Sequence, residues 1–238
     1  MSSRKRQGIR ISILVCIVLA FISIVLPNKR TRFPTLSTPM PERLPELSQL
    51  IQNEDYPKAL ALIEQGGAVD PADKYGKTPL IVACAKNSPS YDVIKALLRK
   101  GADANVADRH GSTALGFAID AQDLDMAELL LKAGADVNRA RYIKNTALVM
   151  AAENSEADWR LLKLLMRHGG NVNERGMGGN TPLMIIALRC DAQMAKYLLD
   201  AGAAVAIKNN VGRTALDLAR EHQCTKVASL LESGSIRK

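Results

Sequence analysis

The chain has 238 residues, of which 47% are hydrophobic but only 4% aromatic, and its formal net charge is +8. A core built mainly from Ala, Leu, Val and Ile is typical of packed helices rather than of a sheet sandwich, which would be richer in aromatic and β-branched residues. Residues 1–43 hold eight of the 32 basic side chains and only one of the 24 acidic ones, so the remainder is almost neutral. This distribution argues against nucleic acid as a partner, because a duplex-binding domain carries its own basic face.

An apolar segment near the N-terminus is predicted to anchor the chain in a membrane. Residues 11–26 read ISILVCIVLAFISIVL, with Arg10 before them and Lys29 shortly after. Such a helix spans about 24 Å, and basic flanking side chains can reach the headgroups of a hydrocarbon core of about 30 Å. We therefore expect a single-pass anchor that follows a basic tail.

The alternative is a secretory signal peptide that is cleaved. Its apolar region is usually about 7–15 residues and ends in a small-x-small site. Cleavage after Val18-Leu19-Ala20 would leave an apolar new terminus, and Pro27 follows the segment directly. The slight excess of basic residues before the segment favours a cytoplasmic N-terminus. The folded part is therefore predicted on the periplasmic, extracytoplasmic side of an inner membrane, and a secreted soluble protein stays open as the alternative.

A proline-rich stretch follows the apolar segment. Half of the ten prolines lie between residues 27 and 45. Proline-rich chains are extended and semi-rigid, so this stretch is predicted to be a spacer between membrane and folded domain.

Two landmarks then recur along residues 47–234. A glycine closes each Leu-rich run, a threonine follows it by twelve residues, and a leucine stands two positions later. A glycine in that place ends a helix in the left-handed conformation, and a threonine can cap the next helix. Each unit is therefore predicted to be a turn, two short helices and a long loop. The glycines and threonines are Gly66, Gly101, Gly134, Gly169 and Gly202, with Thr78, Thr113, Thr146, Thr181 and Thr214.

The units alternate in length. The stretch from threonine to glycine is 23, 21, 23 and 21 residues long, so the whole pattern repeats at 68 residues. This alternation indicates that a two-repeat unit was duplicated, with the extra residues in the turn between the two helices.

The segments GKTPLIVACA, GNTPLMIIAL and GRTALDLARE, with KGADANVAD and KAGADVNRA, resemble the ankyrin repeat and its T-P-L-H-x-A signature. The resemblance implies an all-α ankyrin-repeat solenoid with β-hairpin-like loops, here behind an N-terminal transmembrane helix. Some positions depart from the family. Lys144 replaces a turn glycine, and Arg141 and Gly176 stand where an Asp is usual, so the third finger is expected to be reshaped. The family's His is absent, its places being taken by Ile81, Gly116, Val149, Met184 and Asp217.

The resemblance and the leader together imply a division of the chain. It consists of a basic tail at 1–10, a transmembrane anchor at 11–27, a Pro-rich linker at 28–46, an N-terminal capping repeat at 47–72, and repeats one to five at 73–107, 108–140, 141–175, 176–208 and 209–238, the last including the C-terminal cap.

Cysteine usage predicts no disulfide framework. The folded part contains Cys84, Cys190 and Cys224, an odd number with no C-x-x-C pair. Three buried structural thiols are therefore expected.

Catalytic chemistry is not indicated. The three histidines have no ligand at helical spacing, and no nucleophile motif or phosphate loop is present. The carboxylates Asp120, Asp123 and Asp125 are predicted to form a capped turn between helices. We expect no catalytic residue, no metal, no cofactor and no small-molecule substrate.

The resemblance implies a protein partner that meets the loop tips and the concave face. Apolar or aromatic tips surrounded by basic groups would suit a partner with an acidic surface. The apolar concave residues would either contact the partner or pack against the next repeat. Trp159 is predicted to pack between helices, with a back-side contact as the alternative. The predicted partner-binding residues are Lys74, Tyr75, Arg109, His110, Arg141, Tyr142, Ile143, Lys144, Arg175, Met177, Lys208 and Arg213 at the fingers, and Ile81, Val149 and Met184 on the concave face.

These features predict a membrane-tethered protein-binding module without catalysis. The basic leader, short anchor and small size are typical of a bacterial protein, and a role as an immunity or inhibitor protein against a toxin or effector follows by analogy. The alternative is a secreted ankyrin protein that acts on a foreign or extracellular protein.

Overall fold

A computed structural model describes residues 46–142, 145–154 and 159–235. The predicted anchor and nearly all of the linker lie outside the described residues. Within those three ranges, no helix has the length and apolar character needed to cross a bilayer.

The described residues form successive helix pairs. The first helix of each pair ends in a short turn, and in the first five pairs the second helix ends just before one of the recurring glycines. The helices are α1 Glu46–Gln52, α2 Tyr56–Glu64, α3 Pro79–Cys84, α4 Tyr91–Arg99, α5 Ala114–Asp120, α6 Leu124–Lys132, α7 Ala147–Asn154, α8 Arg160–Arg167, α9 Pro182–Leu188, α10 Ala192–Asp200, α11 Ala215–Glu221 and α12 Thr225–Ser235. The pair α1–α2 precedes the first signature unit, in the place predicted for the cap.

The helices end and begin where the repeat spacing predicts. The five recurring glycines have φ angles between 82° and 92°, the left-handed conformation that ends a helix. The inter-helix turn runs from 85 to 90 in repeat one but only from 121 to 123 in repeat two. The shorter turn holds Gln122 in the left-handed region, which the longer turn avoids.

Threonine caps four of the five first helices that a recurring threonine precedes. The side chains of Thr78, Thr113, Thr181 and Thr214 each accept a hydrogen bond from the backbone three residues later. The prediction was wrong for Thr146. In the described part of the chain its buried hydroxyl oxygen has no hydrogen-bond partner, because Thr146 belongs to a strand that leads directly into α7.

The helices form two layers. The first helices α1, α3, α5, α7, α9 and α11 contact one another in order, and the second helices form an outer layer. In that outer layer α2 packs on α4, α6 on α8 and α10 on α12, whereas α4 and α6, and α8 and α10, are less closely packed. The apolar core lies between the layers, and its centre includes Leu97, Leu130, Leu162 and Leu198, all without exposed surface.

An asparagine ladder connects the long loops. Each ladder residue accepts a hydrogen bond from a backbone N–H of the next repeat and donates its amide to that repeat's helix-ending glycine. The ladder residues are Asn105, Asn138 and Asn173, with accepted bonds of 2.7, 2.8 and 2.7 Å and donated bonds of 3.0, 3.0 and 3.2 Å. Because every bond crosses a repeat boundary, the ladder fixes the spacing between neighbours.

The expectation of three buried thiols was wrong. Cys190 and Cys224 form a disulfide between the inter-helix turn of repeat four and the start of α12, with their Cα atoms 5.0 Å apart. An odd number of cysteines excludes a complete framework but not a single bridge. Cys84 is a free buried thiol, and burial raises its pKa to about 12, so it is unreactive in the folded protein.

Candidate protein-binding surface

The finger tips are built by a carboxylate or amide that folds the loop back on itself. In the first finger, one Asp73 oxygen accepts hydrogen bonds from the backbone N–H groups of Tyr75 and Lys77, both at 2.8 Å. Gly76 completes the turn with a φ of 79°. Asp108 does the same in the second finger. Because the backbone is satisfied internally, the tip side chains point outward.

The turns leave three large apolar side chains in solvent. Tyr75 is 51% exposed, Met177 66% and Val211 78%. The side-chain nitrogen of Lys74 lies 5.2 Å from the centroid of the Tyr75 ring. Basic and imidazole side chains surround the apolar tips and are also exposed, namely Lys74, Arg109, His110, Arg175, Lys208 and Arg213. We call Tyr75, Met177 and Val211 with these six residues the fingertip row.

Hydrogen bonds between neighbouring fingers make parts of the row rigid. The Arg109 N–H donates to the Tyr75 carbonyl at 2.9 Å, and the Asn210 N–H donates to the Gly178 carbonyl at 3.0 Å. The Arg175 guanidinium also donates to the Asn210 side chain at 3.0 Å. A surface that is ordered before binding loses less conformational entropy on association.

The third finger differs from the others, as the departures in its sequence predict. Strand β1, Arg141–Tyr142, pairs antiparallel with strand β2, Asn145–Thr146. The Arg141 carbonyl accepts a hydrogen bond from Thr113 of the preceding repeat at 3.1 Å, and its guanidinium contacts Glu174 at 3.1 Å. Burial raises the pKa of Glu174, and the neighbouring Arg141 opposes that rise. Of the predicted tip residues here, Ile143 and Lys144 and the side chain of Tyr142 lie outside the described residues.

Gly116, on helix α5, explains why the backbone of finger three can approach that helix so closely. It stands at one of the positions where the family has His, and a Cβ atom there would overlap the Arg141 carbonyl. The missing side chain therefore makes room for the backbone of finger three.

Replacing Gly116 by Ala should displace finger three. The helix would gain about 1 kcal/mol from the better helix former, but overlap with a fixed carbonyl costs about 1–3 kcal/mol and loses the Thr113 hydrogen bond. We expect a net lower stability by urea denaturation and faster hydrogen exchange at residues 141–146. Ala118→Gly, on the same helix, is the control for helix propensity, and unchanged exchange in G116A at the finger would contradict the argument.

In finger four the side chain of a residue from the preceding repeat occupies the space of the missing aspartate. Gly176 stands in that place, and the side-chain oxygen of Asn145 accepts the Met177 N–H from across the repeat boundary at 3.2 Å. The amide of Asn145 donates in turn to Glu153 at 2.7 Å. This role of Asn145 could not be predicted from finger four alone, because the compensating residue belongs to repeat three.

The concave residues do not form an exposed strip. Ile81, Val149 and Met184 are 1%, 0% and 1% exposed, so the prediction that they contact a partner is corrected in favour of packing within the stack. Met184 also accepts the Thr181 N–H with its sulfur at 3.5 Å. Asp217 does the same for Thr214 at 2.9 Å, and these hydrogen bonds lower the pKa of Asp217.

Aromatic residues at the start of two outer helices connect neighbouring repeats. Tyr91 donates to Asp123, and Trp159, 68 residues later, donates to Asp191 at 2.8 Å. Each aspartate also caps its own helix. Trp159 therefore contacts the following repeat, as the packing alternative predicts, and the guanidinium carbon of Arg189 lies 5.5 Å from its ring centroid.

The described ranges contain no cluster of His, Cys, Asp or Glu that could hold a metal ion. The arrangement offers exposed apolar tips on a rigid backbone, which suits protein recognition.

Comparisons with known proteins give one family and a few similar chains. Residues 47–141 and 148–237 match the family described as Ankyrin repeats (3 copies). A chain from the solved complex "Bd0816 Predatory Endopeptidase from Bdellovibrio bacteriovorus in complex with immunity protein Bd3460" superposes with a TM-score of 0.63 at 29% identity, covering 81% of this chain and 97% of that one.

Two curated sequences are similar over shorter stretches. The ankyrin repeat protein FPV233 of fowlpox virus (strain NVSL) is 44% identical over 61 residues, which is 26% of this chain and 12% of that protein. XBAT34 of Arabidopsis thaliana, which is named as an E3 ubiquitin-protein ligase, is 39% identical over 59 residues, or 25% of this chain and 15% of that protein. The matched stretches are thus a small part of these two relatives.

Proposed function

The chain belongs to the ankyrin-repeat family, and on that premise we propose that it binds a protein partner through the fingertip row and inhibits it, in the manner of an immunity protein. The observation that carries the proposal is the exposure of Tyr75, Met177 and Val211 on fingers whose backbone is fixed by hydrogen bonds. Exposed apolar side chains with a basic rim are typical of recognition sites for an acidic protein surface.

Likeness to the complex of an endopeptidase with its immunity protein supports the inhibitory role. The matched chain is covered over 97% of its length, so the likeness extends over nearly the whole of that chain. We infer that the partner is an enzyme, with a peptidase as the first class to test. The chain itself is proposed to be non-catalytic.

We further propose that the repeats act outside the cytoplasm, tethered by the segment at 11–27. The Cys190–Cys224 disulfide supports an extracytoplasmic location, because disulfides persist mainly in oxidising compartments. The same bridge is compatible with the second candidate, a secreted protein whose leader is cleaved. Protease treatment of spheroplasts and N-terminal sequencing of the mature chain separate the two, since only the secreted form would begin beyond residue 20.

Removing the three apolar tips should abolish inhibition. The variant Tyr75→Ser, Met177→Ser, Val211→Ser is expected to weaken partner binding by about 10²- to 10⁴-fold, because exposed anchors of this size contribute about 1–2 kcal/mol each. The full chain is used to capture partners from the extracytoplasmic fraction. Each captured protein is then purified and assayed for peptidase activity with and without the chain.

The matched control replaces exposed lysines on outer helices, Lys95→Ser and Lys226→Ser. It should inhibit as the unmodified chain does. The proposal fails if the triple variant inhibits equally well, or if the captured protein keeps full activity when saturated with the chain.

A further inference from the structure

A groove runs along the outer layer between α8 and α10, where these helices are less closely packed than their neighbours. Its volume is about 480 Å³. The residues that give it its chemistry are Trp159, Arg160, Lys163, Lys196, Tyr197 and Asp200. It combines two aromatic rings with three basic side chains and one acidic one.

The two lysines of the groove are not neutralised by any residue that the structure describes. In the part of the chain that the structure describes, neither Lys163 nor Lys196 forms an ion pair. The Lys163 nitrogen lies 5.4 Å from the centroid of the Tyr197 ring, and that ring is 38% exposed. A cation beside an exposed aromatic ring is suited to a ligand that has both a carboxylate and an apolar group.

The duplicated half of the chain provides an internal comparison. A groove along α2, α4 and α6 includes four of the corresponding positions 68 residues earlier, Asp92, Lys95, Leu129 and Lys132. Two of its three basic groups are paired, Arg99 with Glu64 at 3.2 Å and Lys132 with Glu128 at 2.8 Å, whereas Lys95, the counterpart of Lys163, forms no ion pair among the described residues. At three positions an acidic side chain of the first half is replaced by a basic or neutral one in the second: Asp92 by Arg160, Asp125 by Gln193 and Glu128 by Lys196. Leu129 is replaced by the aromatic Tyr197. One position changes from basic to acidic, from Lys132 to Asp200.

Both halves have the same fold at these positions, so the fold does not require the difference. The substitutions changed a set of three acidic and two basic side chains into one of three basic side chains and one acidic, and they added an exposed aromatic ring. Like charges on a free surface cost stability, and an acidic ligand would offset that cost.

We propose that the α8/α10 groove is a second interface, which binds an acidic segment of a protein partner. Carboxylates of the segment pair with Lys163 and Lys196, and an apolar side chain between them packs on Tyr197. The fingers lead into the first helices, whereas this groove lies on the second helices, so the proposal does not depend on the fingertip row.

Trp159 is the only tryptophan of the chain and lines the groove, so its fluorescence reports on occupancy. The full chain in neutral-lipid nanodiscs is titrated with a synthetic peptide of alternating glutamate and leucine. We expect a saturable change in emission that weakens as salt is added. Lys196→Glu and Tyr197→Leu copy the residues of the other half, so both should fold, and Lys196→Glu should weaken binding by about tenfold. Lys95→Glu, the same change of charge type in the other groove, should leave the affinity unchanged.

Several results would overturn the proposal. One is equal binding of a peptide in which glutamine replaces every glutamate, and another is an equal loss of affinity in Lys95→Glu. A third is a stronger Trp159 response, sensitive to Lys196→Glu, to phosphatidylglycerol vesicles or to single-stranded DNA, which would identify a lipid or nucleic-acid surface instead. Loss of peptide binding in Tyr75→Ser, Met177→Ser, Val211→Ser would place the peptide on the fingertip row and not in the groove.

Discussion

Opening the Cys190–Cys224 disulfide is expected to lower the free energy of unfolding of the C-terminal repeats by about 3–4 kcal/mol, because the bridge closes a loop that spans two repeats. The two cysteines are 34 residues apart in sequence. The bridge stabilises the folded state mainly by lowering the conformational entropy of the unfolded chain. The double variant Cys190→Ser, Cys224→Ser should show the same loss without any reductant.

The loss should be confined to one end of the stack. Among the described residues, the last helix pair, α11 and α12, contacts a neighbouring pair on one side only, and in a repeat protein stability depends on the contacts between neighbours. Hydrogen exchange of the oxidised and reduced protein should therefore differ mainly between residues 209 and 235, with repeats one and two unchanged. Reductant should have no effect on the double variant. A uniform increase in exchange along the whole stack would contradict this assignment.

The consequence for function follows from the position of the fifth finger. Val211 and Arg213 belong to the repeat that the disulfide holds in place. Reduction should therefore weaken partner binding by the fingertip row. In an oxidising compartment the disulfide would form and the fingertip row would be complete. In the reducing cytoplasm the bridge would stay open, and Val211 and Arg213 would be held less firmly.

Much of the fold is encoded in short-range patterns and could be predicted from the sequence. Glycine adopts a positive φ more readily than any other residue type, so Gly101 and Gly169 after Leu-rich runs mark helix ends without reference to the rest of the chain. Thr78 and Thr181 cap the helices that follow them directly. The alternation of turn lengths could also be predicted, because two extra residues between a capping threonine and a helix-ending glycine are accommodated in the turn between the two helices.

The features that could not be predicted depend on residues in different repeats. The bridge between Cys190 and Cys224 joins two turns whose distance is set by the stacking of whole repeats. The same holds for Gly116, whose role is defined by a carbonyl of the next finger, and for Asn145, which occupies the space of an aspartate missing from another finger. Such contacts between repeats become visible only in the three-dimensional stack, where neighbouring repeats lie side by side.

For the candidate site, the sequence does not reveal whether the concave residues are buried or exposed. Sequence position places Ile81, Val149 and Met184 on the first helices, but it does not show how closely the next first helix approaches. In the structure these helices contact one another in an unbroken row, which leaves no gap for a partner. The exposed apolar side chains are consequently found on the fingers, where the turn geometry keeps them away from the core.

Truncating Leu162 to alanine is expected to cost about 3–5 kcal/mol, the upper range for a large-to-small change in a rigid core. Leu162 has no exposed surface and lies on α8, in the middle of the stack. The cavity cannot collapse easily, because α8 is held by α7 from within its own repeat and by α6 from the preceding one. Urea denaturation of the oxidised protein measures the loss.

The position of the cavity in the stack should determine which repeats lose stability. Ile63→Ala, also fully buried but in the capping pair, is the matched comparison. Its effect should be limited to the cap and repeat one, whereas Leu162→Ala should speed hydrogen exchange in repeats two and four as well as in repeat three. If both variants raised exchange only in their own repeat, the repeats would be independent units. The ladder of Asn105, Asn138 and Asn173 crosses the three boundaries from repeat one to repeat four and argues for coupling there, since each rung is lost when either neighbour unfolds.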